Sequence, residues 1–201
     1  MNNLIPLPRS FFQRPARELG PRLLGCHLVA GEVVIRITEV EAYEGGTDPG
    51  SHAYRGRTSR NATMFGEPGH LYVYRHMGLH SCCNIVASTT DHANGCLLRA
   101  GEVVRGVETA RARHAAAGVM RKDTDLAQGP GRLTVALGIS WLDDGLDLCD
   151  PGSGLHLADR VGAEPEVVAG PRIGLRPEAT EPQHLWLRFH VAGEPTVSGR
   201  R

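Results

Sequence analysis

Apolar and polar residues in this chain alternate over short stretches far more often than they recur at helical spacing. Cys26–Ala30 and Val33–Ala42 are two extended segments separated by Gly31-Glu32, and they read as a hairpin with a long second strand. In that strand the two-residue period puts Val33, Ile35, Ile37, Glu39 and Glu41 on one face, so a row that begins apolar ends in two carboxylates. Shorter strands are predicted at His70–Tyr74, Cys83–Ala87, Cys96–Ala100, Leu155–Leu157, Val167–Val168, Arg172–Leu175 and Leu185–Val191. Three segments read as helices. Pro15–Gly25 is interrupted by Gly20-Pro21, Val103–Ala117 is ended by Gly118, and Arg132–Ile139 opens after the turn at Gln128-Gly-Pro-Gly131. Short strands broken by Gly and Pro, with no βαβ rhythm, indicate an α+β fold: a curved, mostly antiparallel sheet flanked by a few helices.

Tyr43 to Pro68 is a long connection rich in Gly, Arg, Ser and Thr, of a length that compact domains keep for function or leave disordered. The pattern gives one domain over residues 8–198, with 1–7 and 199–201 loose beyond it and Gly193, Pro195 and Gly199 loosening its last stretch. The 201 residues suffice for one real core. No apolar run approaches the roughly eighteen residues of a membrane helix, and Met1–Arg9 has no apolar stretch of signal-peptide length, so a cytoplasmic protein is expected. Cys26, Cys82, Cys83, Cys96 and Cys149 are odd in number and lack C-x-x-C spacing, which fits reduced, buried thiols better than a zinc site or disulfide framework.

The formal net charge is zero, but charge is unevenly spread. Between Ser51 and His80, Arg55, Arg57, Arg60 and Arg75 face only Glu67. Between Asp123 and Gly170, nine acids face Arg132 and Arg160. A neutral chain can therefore carry one basic face that a phosphate backbone would feel. Nucleotide-cofactor loops, the G-x-S-x-G elbow and the zinc-deaminase pattern are all missing, and His76 and His80 lack the neighbouring Glu of a metalloprotease, so no metal or cofactor is expected.

Three pieces combine chemistry with position: Glu39-Val40-Glu41-Ala42-Tyr43; Leu71-Tyr72-Val73-Tyr74 with Arg75-His76-Met77-Gly78-Leu79-His80 after it; and Asn84 with Leu97-Leu98-Arg99-Ala100. Taken singly, Glu41 also suits a solvated strand end, Tyr72 and Tyr74 suit packing, and Arg99 suits an ion pair. Together with His52, Arg60-Asn61, Met64-Phe65, Pro68-Gly69-His70, Gly129-Pro130-Gly131-Arg132-Leu133, Pro171-Arg172-Ile173-Gly174 and Leu187-Arg188-Phe189, they resemble the alkyladenine (3-methyladenine) DNA glycosylases across nearly the whole chain.

That resemblance implies a sheet like that of the formyltransferase C-terminal domain. It also implies a monomeric, nucleoid-associated enzyme that everts a damaged purine from double-stranded DNA and hydrolyses its bond to deoxyribose. Glu41 would be the general base and Arg99 would help hold the water. Near Ile173, a backbone carbonyl would supply a third contact to that water, and Glu39 has no role by resemblance. Tyr43, His52 and Tyr74 would line the base pocket, where aromatic faces also suit a cationic alkylated base, and Asn84 would repel the exocyclic amine of guanine. Met77, standing where many relatives carry Tyr, would form the intercalating wedge with Leu79. Arg75, His76, His80 and Arg132 would contact phosphates. The only Lys, Lys122, lies outside these motifs, which favours attack by water over a Schiff base. A non-catalytic damage-binding module and a hydrolase of free nucleosides remain the competing readings.

Overall fold

The computed structural model describes residues 4–88, 92–119 and 121–199. Its eight strands are β1 (His27–Ala30), β2 (Val33–Glu44), β3 (Leu71–His76), β4 (His80–Ala87), β5 (Asn94–Arg105), β6 (Leu155–Ala158), β7 (Val167–Gly170) and β8 (Arg188–Val191). They form one antiparallel sheet in the order β3-β4-β5-β2-β1-β6, with β8 also on β2 and β7 on β8. Helices α1 (Ala16–Leu23), α2 (Val107–Ala116) and α3 (Pro130–Leu137) complete the α+β architecture.

β2 organises the sheet. One edge pairs with β5 along its length, while the other pairs with β1 over Val33–Arg36 and then with β8 over Glu39–Glu41. At this change of partner the register against β5 slips between Ile37 and Glu39 and again between Glu39 and Val40. Such a bulge turns the following side chains over. Val33, Ile35 and Ile37 lie in the core, but beyond the slip it is Val40 and Ala42 that do so. Glu39 and Glu41 thus share a face, as the alternation predicts, but not the face of Val33 and Ile35. The close approach at the bulge requires Gly101, since a β-carbon there would fall 2.2 Å from Ile35 Cγ2 and 2.7 Å from the Arg36 carbonyl oxygen.

Strict alternation then divides the sheet. Leu71 and Val73, Cys83, Ile85 and Ala87, and Cys96 and Leu98 join Val40 and Ala42 in one core with α1 and α3. Tyr72, Val86 and Met64 belong to a second cluster, with Tyr74 packed on it. In α1, Pro21 is tolerated late in a short helix, and Gly20 lets the helix approach β8: a β-carbon there would stand 2.8 Å from the Phe189 ring.

Several expectations need correction. The segment Val103–Arg105 completes β5, and the helix begins only at Val107, because Gly106 adopts φ +75°. Arg172–Leu175 is not a strand; its contacts run to side chains instead of a neighbouring ladder. Likewise, residues 193–199 are not loose. Thr196, Val197 and Ser198 are buried, and the Ser198 amide donates to Glu39 at 2.6 Å. Leu7 is also tied down, its amide bonded to the Leu157 carbonyl at 2.7 Å.

Candidate active site

Pairing of β2, β5, β4 and β3 sets Glu41 opposite Leu97, Leu97 opposite Asn84, and Asn84 opposite Tyr72. Four strands therefore contribute one row across the face that the helical core leaves free. Above it lies a cavity of about 370 Å³, lined among others by Tyr43, His52, Tyr74, Asn84 and Arg99. That volume lies in the range of small-molecule sites, roughly 300–1,000 Å³. His76 and Pro130, the latter at the start of α3, also line it.

Glu41 is fully buried, though not among apolar groups alone. Its Oε2 accepts from the Tyr43 hydroxyl at 2.8 Å and from Arg99 Nη1 at 3.2 Å, and its Oε1 accepts from the Ile173 amide at 2.7 Å. Tyr43, Arg99 and Ile173 all line the cavity, and the carboxylate stands behind them. Ile173 thus contacts this group through its N–H.

Glu39, also fully buried, braces the arrangement from below. It accepts from Arg99 Nε at 3.2 Å, Arg188 Nε at 2.6 Å and the Ser198 amide at 2.6 Å. Two carboxylates and two guanidinium groups therefore balance inside the protein, where an unpaired charge would be costly. Arg99 is raised from its usual value: burial opposes its charge, but Glu41 and Glu39 outweigh that. Burial, followed by the charge of Glu41, pushes the Tyr43 hydroxyl well above its usual value and keeps it a donor.

The aromatic residues of the cavity are held by contacts with one another and with Arg172. The Arg172 guanidinium lies 4.7 Å from the Tyr43 ring centre. His52 meets Tyr74 edge-to-face at 4.5 Å, and its Nδ1 is 3.1 Å from the Tyr72 hydroxyl. Burial, with Arg60 and His76 nearby, lowers the His52 ring from its ordinary 6.5 and favours the neutral form. Asn84 donates to the Tyr72 carbonyl at 3.3 Å.

The long connection after β2 carries its own locks. Asn61 donates to the His52 and Gly56 carbonyls and accepts from the Thr58 amide. Asp48 accepts from the Glu44 and Gly50 amides and is doubly paired with Arg172 at 2.5 and 2.8 Å. Burial alone would raise the Asp48 carboxyl, but Arg172 and these amides outweigh it and hold it below its usual 3.8. This pair secures the 172–175 segment over the cavity. Sequence pattern did not reveal the pair, because its members are 124 residues apart.

Beyond the cavity, the β3–β4 hairpin projects Met77 and Leu79, 81% and 78% exposed. Met77 has φ +51° and Gly78 φ +72°. His80 lies against Gly131 at the start of α3, with Arg132 next in sequence. Arg75 does not line the cavity; it turns to the other side of β3, 5.0 Å from the Trp141 ring centre. Tyr72, Met64, Cys82, Leu97, Gly174 and Leu175 also line the cavity but had no place in the sequence-based site. For Tyr72, Cys82 and Leu97 the signal was position in the alternation, which packing residues share; Met64, Gly174 and Leu175 lie outside the strands, where alternation gives no signal. Among the described residues, no group of three or more His, Cys, Asp or Glu is placed to hold a metal ion, and no helix is long and apolar enough to cross a membrane.

Comparison with known proteins adds an independent line. The profile of the methylpurine-DNA glycosylase (MPG) family matches residues 10–195. A protein of Streptomyces avermitilis named "Putative 3-methyladenine DNA glycosylase" is 46% identical over 98% of this chain and 92% of its own length. Proteins of the same name from Leifsonia xyli and Burkholderia lata are 47% and 46% identical, over 94% and 96% of this chain and 90% and 91% of their own lengths.

Proposed function

Because this chain belongs to the methylpurine-DNA glycosylase family and is a DNA glycosylase, we propose that it everts alkylated or deaminated purines from duplex DNA and hydrolyses their bond to deoxyribose with a water activated by Glu41. The observation that carries this reading is Glu41 itself, a carboxylate gripped by three donors directly behind an aromatic cavity.

The base enters between Tyr43 on one side and His52 with Tyr74 on the other. Flat rings suit any purine, and a ring-alkylated cationic base gains further attraction from them. Neutral His52 adds no positive charge against such a base, and Asn84 at the cavity floor excludes the exocyclic amine of ordinary guanine by its bulk. 3-Methyladenine, 7-methylguanine, hypoxanthine and ethenoadenine are the substrates proposed. Outside the pocket, Met77 and Leu79 fill the gap in the base stack, and Arg75, His76, His80 and Arg132 engage phosphates.

For hydrolysis, the attacking water takes a place on Glu41 Oε2 that the Tyr43 hydroxyl holds in the free protein, and Arg99 remains as its second partner. Glu41 takes the proton as oxygen bonds to the anomeric carbon, and the electron pair of the broken bond leaves with the purine. The carboxylate also stabilises positive charge developing on the sugar. The product is an intact abasic site.

Glu41→Gln keeps the shape and the acceptor oxygen but removes the base. Excision from hypoxanthine- and 3-methyladenine-containing duplexes, read by alkali cleavage at abasic sites, is expected to fall by about a hundredfold or more while duplex binding persists. Excision at the wild-type rate would refute the assignment.

A further inference from the structure

A second groove lies on the other side of the hairpin from the base cavity. It measures about 600 Å³ and is lined by Arg60, Val73, Tyr74, Arg75, Met77, Gly78, Trp141 and Asp144. Alternation along β3 separates the two: Tyr72, Tyr74 and His76 line the first cavity, while Val73 and Arg75 line the second, with Tyr74 shared. Met77, at the hairpin tip, lines the second groove and not the first.

The Trp141 indole is 49% exposed on a turn that is tightly held. The Ser140 and Asp143 side chains cap that turn reciprocally. Asp144 accepts from the Val73 amide and the Thr63 hydroxyl, both at 2.8 Å, which fastens the turn to β3. These bonds also occupy the one acid among the groove's lining residues, while two cations line it, Arg75 over the indole at 5.0 Å and Arg60 over the Tyr74 ring at 5.9 Å. An exposed aromatic ring fixed on a rigid support, beside cations, is the arrangement by which proteins stack single nucleobases.

We infer that this groove receives the base left unpaired on the strand opposite the everted nucleotide, stacked on the part of the Trp141 ring that Arg75 leaves open, with Arg60 toward its backbone. The inference rests on the proposed eversion. With the damaged nucleotide withdrawn to the Tyr72 side and Met77 in the gap, the partner strand is what remains on the Trp141 side. The hairpin would then read both strands at once, one on each face of β3.

The test uses binding to duplexes that carry a tetrahydrofuran abasic analogue in place of the lesion, so it does not depend on excision. Opposite the analogue stands either thymine or a second tetrahydrofuran. Trp141→Ala is expected to weaken binding about fivefold or more with thymine opposite, the lower end of what base–aromatic stacking contributes. With no base opposite, the loss should disappear, and Trp141→Phe should restore most of the affinity for the thymine duplex. Equal losses on both duplexes, or no loss on either, would overturn the inference. Wild-type excision of methylated purines, measured separately, tests the catalytic reading, so one can fail without the other.

Discussion

At the scale of single residues, the site depends on groups that never meet the substrate. Asp48 and Arg172 are the clearest case, since they hold the loop whose next residue, Ile173, donates to Glu41. Both side chains are nearly inaccessible, at 0% and 1% exposure. Asp48→Asn would strand a buried guanidinium, at a cost of about 3–5 kcal/mol. In thermal unfolding this should lower the midpoint by about 10 °C. The pH dependence has a definite sign. A carboxyl held below its ordinary 3.8 stabilises the fold fully above that value and loses the contribution as pH falls through the lowered one. Wild-type stability should therefore drop below about pH 4, and Asp48→Asn should remove that part of the drop. Glu41, Arg99, Tyr43, His52, Tyr74 and Asn84 were all singled out in the sequence through the family resemblance; in the structure the last five line one cavity, while Glu41 does not line it and is bonded to Tyr43 and Arg99, which do. Asp48 was not, because a buried pair between distant loops leaves no local pattern.

At the scale of elements, strands were easier to read than their limits. The β1–β2 hairpin shows in the chain because Gly31 separates two alternating runs. The slip at Thr38–Glu39 does not show, because it follows from a change of neighbour from β1 to β8 that only the folded sheet reveals. The same limitation put the start of α2 too early, since alternating Val103 and Arg105 still belong to a ladder. The β3–β4 tip has a testable cost. Met77 at φ +51° occupies a backbone region where a side chain costs roughly 1–2 kcal/mol. Met77→Gly should leave thermal stability equal or higher while weakening binding to duplexes that contain an abasic analogue. Lower stability together with undiminished binding would remove the wedge assignment.

At the scale of the whole molecule, zero net charge does not prevent a DNA-facing surface. Arg55, Arg57 and Arg60 are exposed on the long connection, and Arg75 on the β3–β4 hairpin. The acid-rich 123–170 stretch does not simply form an opposing face, because several of its acids are engaged locally. Asp143 caps a turn, Asp144 fastens it to β3, Asp147 pairs with Arg9, and Asp150 accepts from the Gly152 amide. Sequence counts gave the asymmetry, but these engagements became visible only with the fold. If four to six phosphates are contacted, log affinity against log salt should have a slope of about −4 to −5. A flat dependence of excision on salt would favour a small nucleoside substrate instead.

The Ser198 contacts carry a practical consequence. This residue donates its amide to Glu39, and its hydroxyl accepts from Arg99, so a stretch with the composition of a dispensable tail is tied to the buried charge network beneath the cavity. Trimming the protein after Pro195, where the family profile stops, should leave a molecule that still folds and still recognises DNA but turns over slowly.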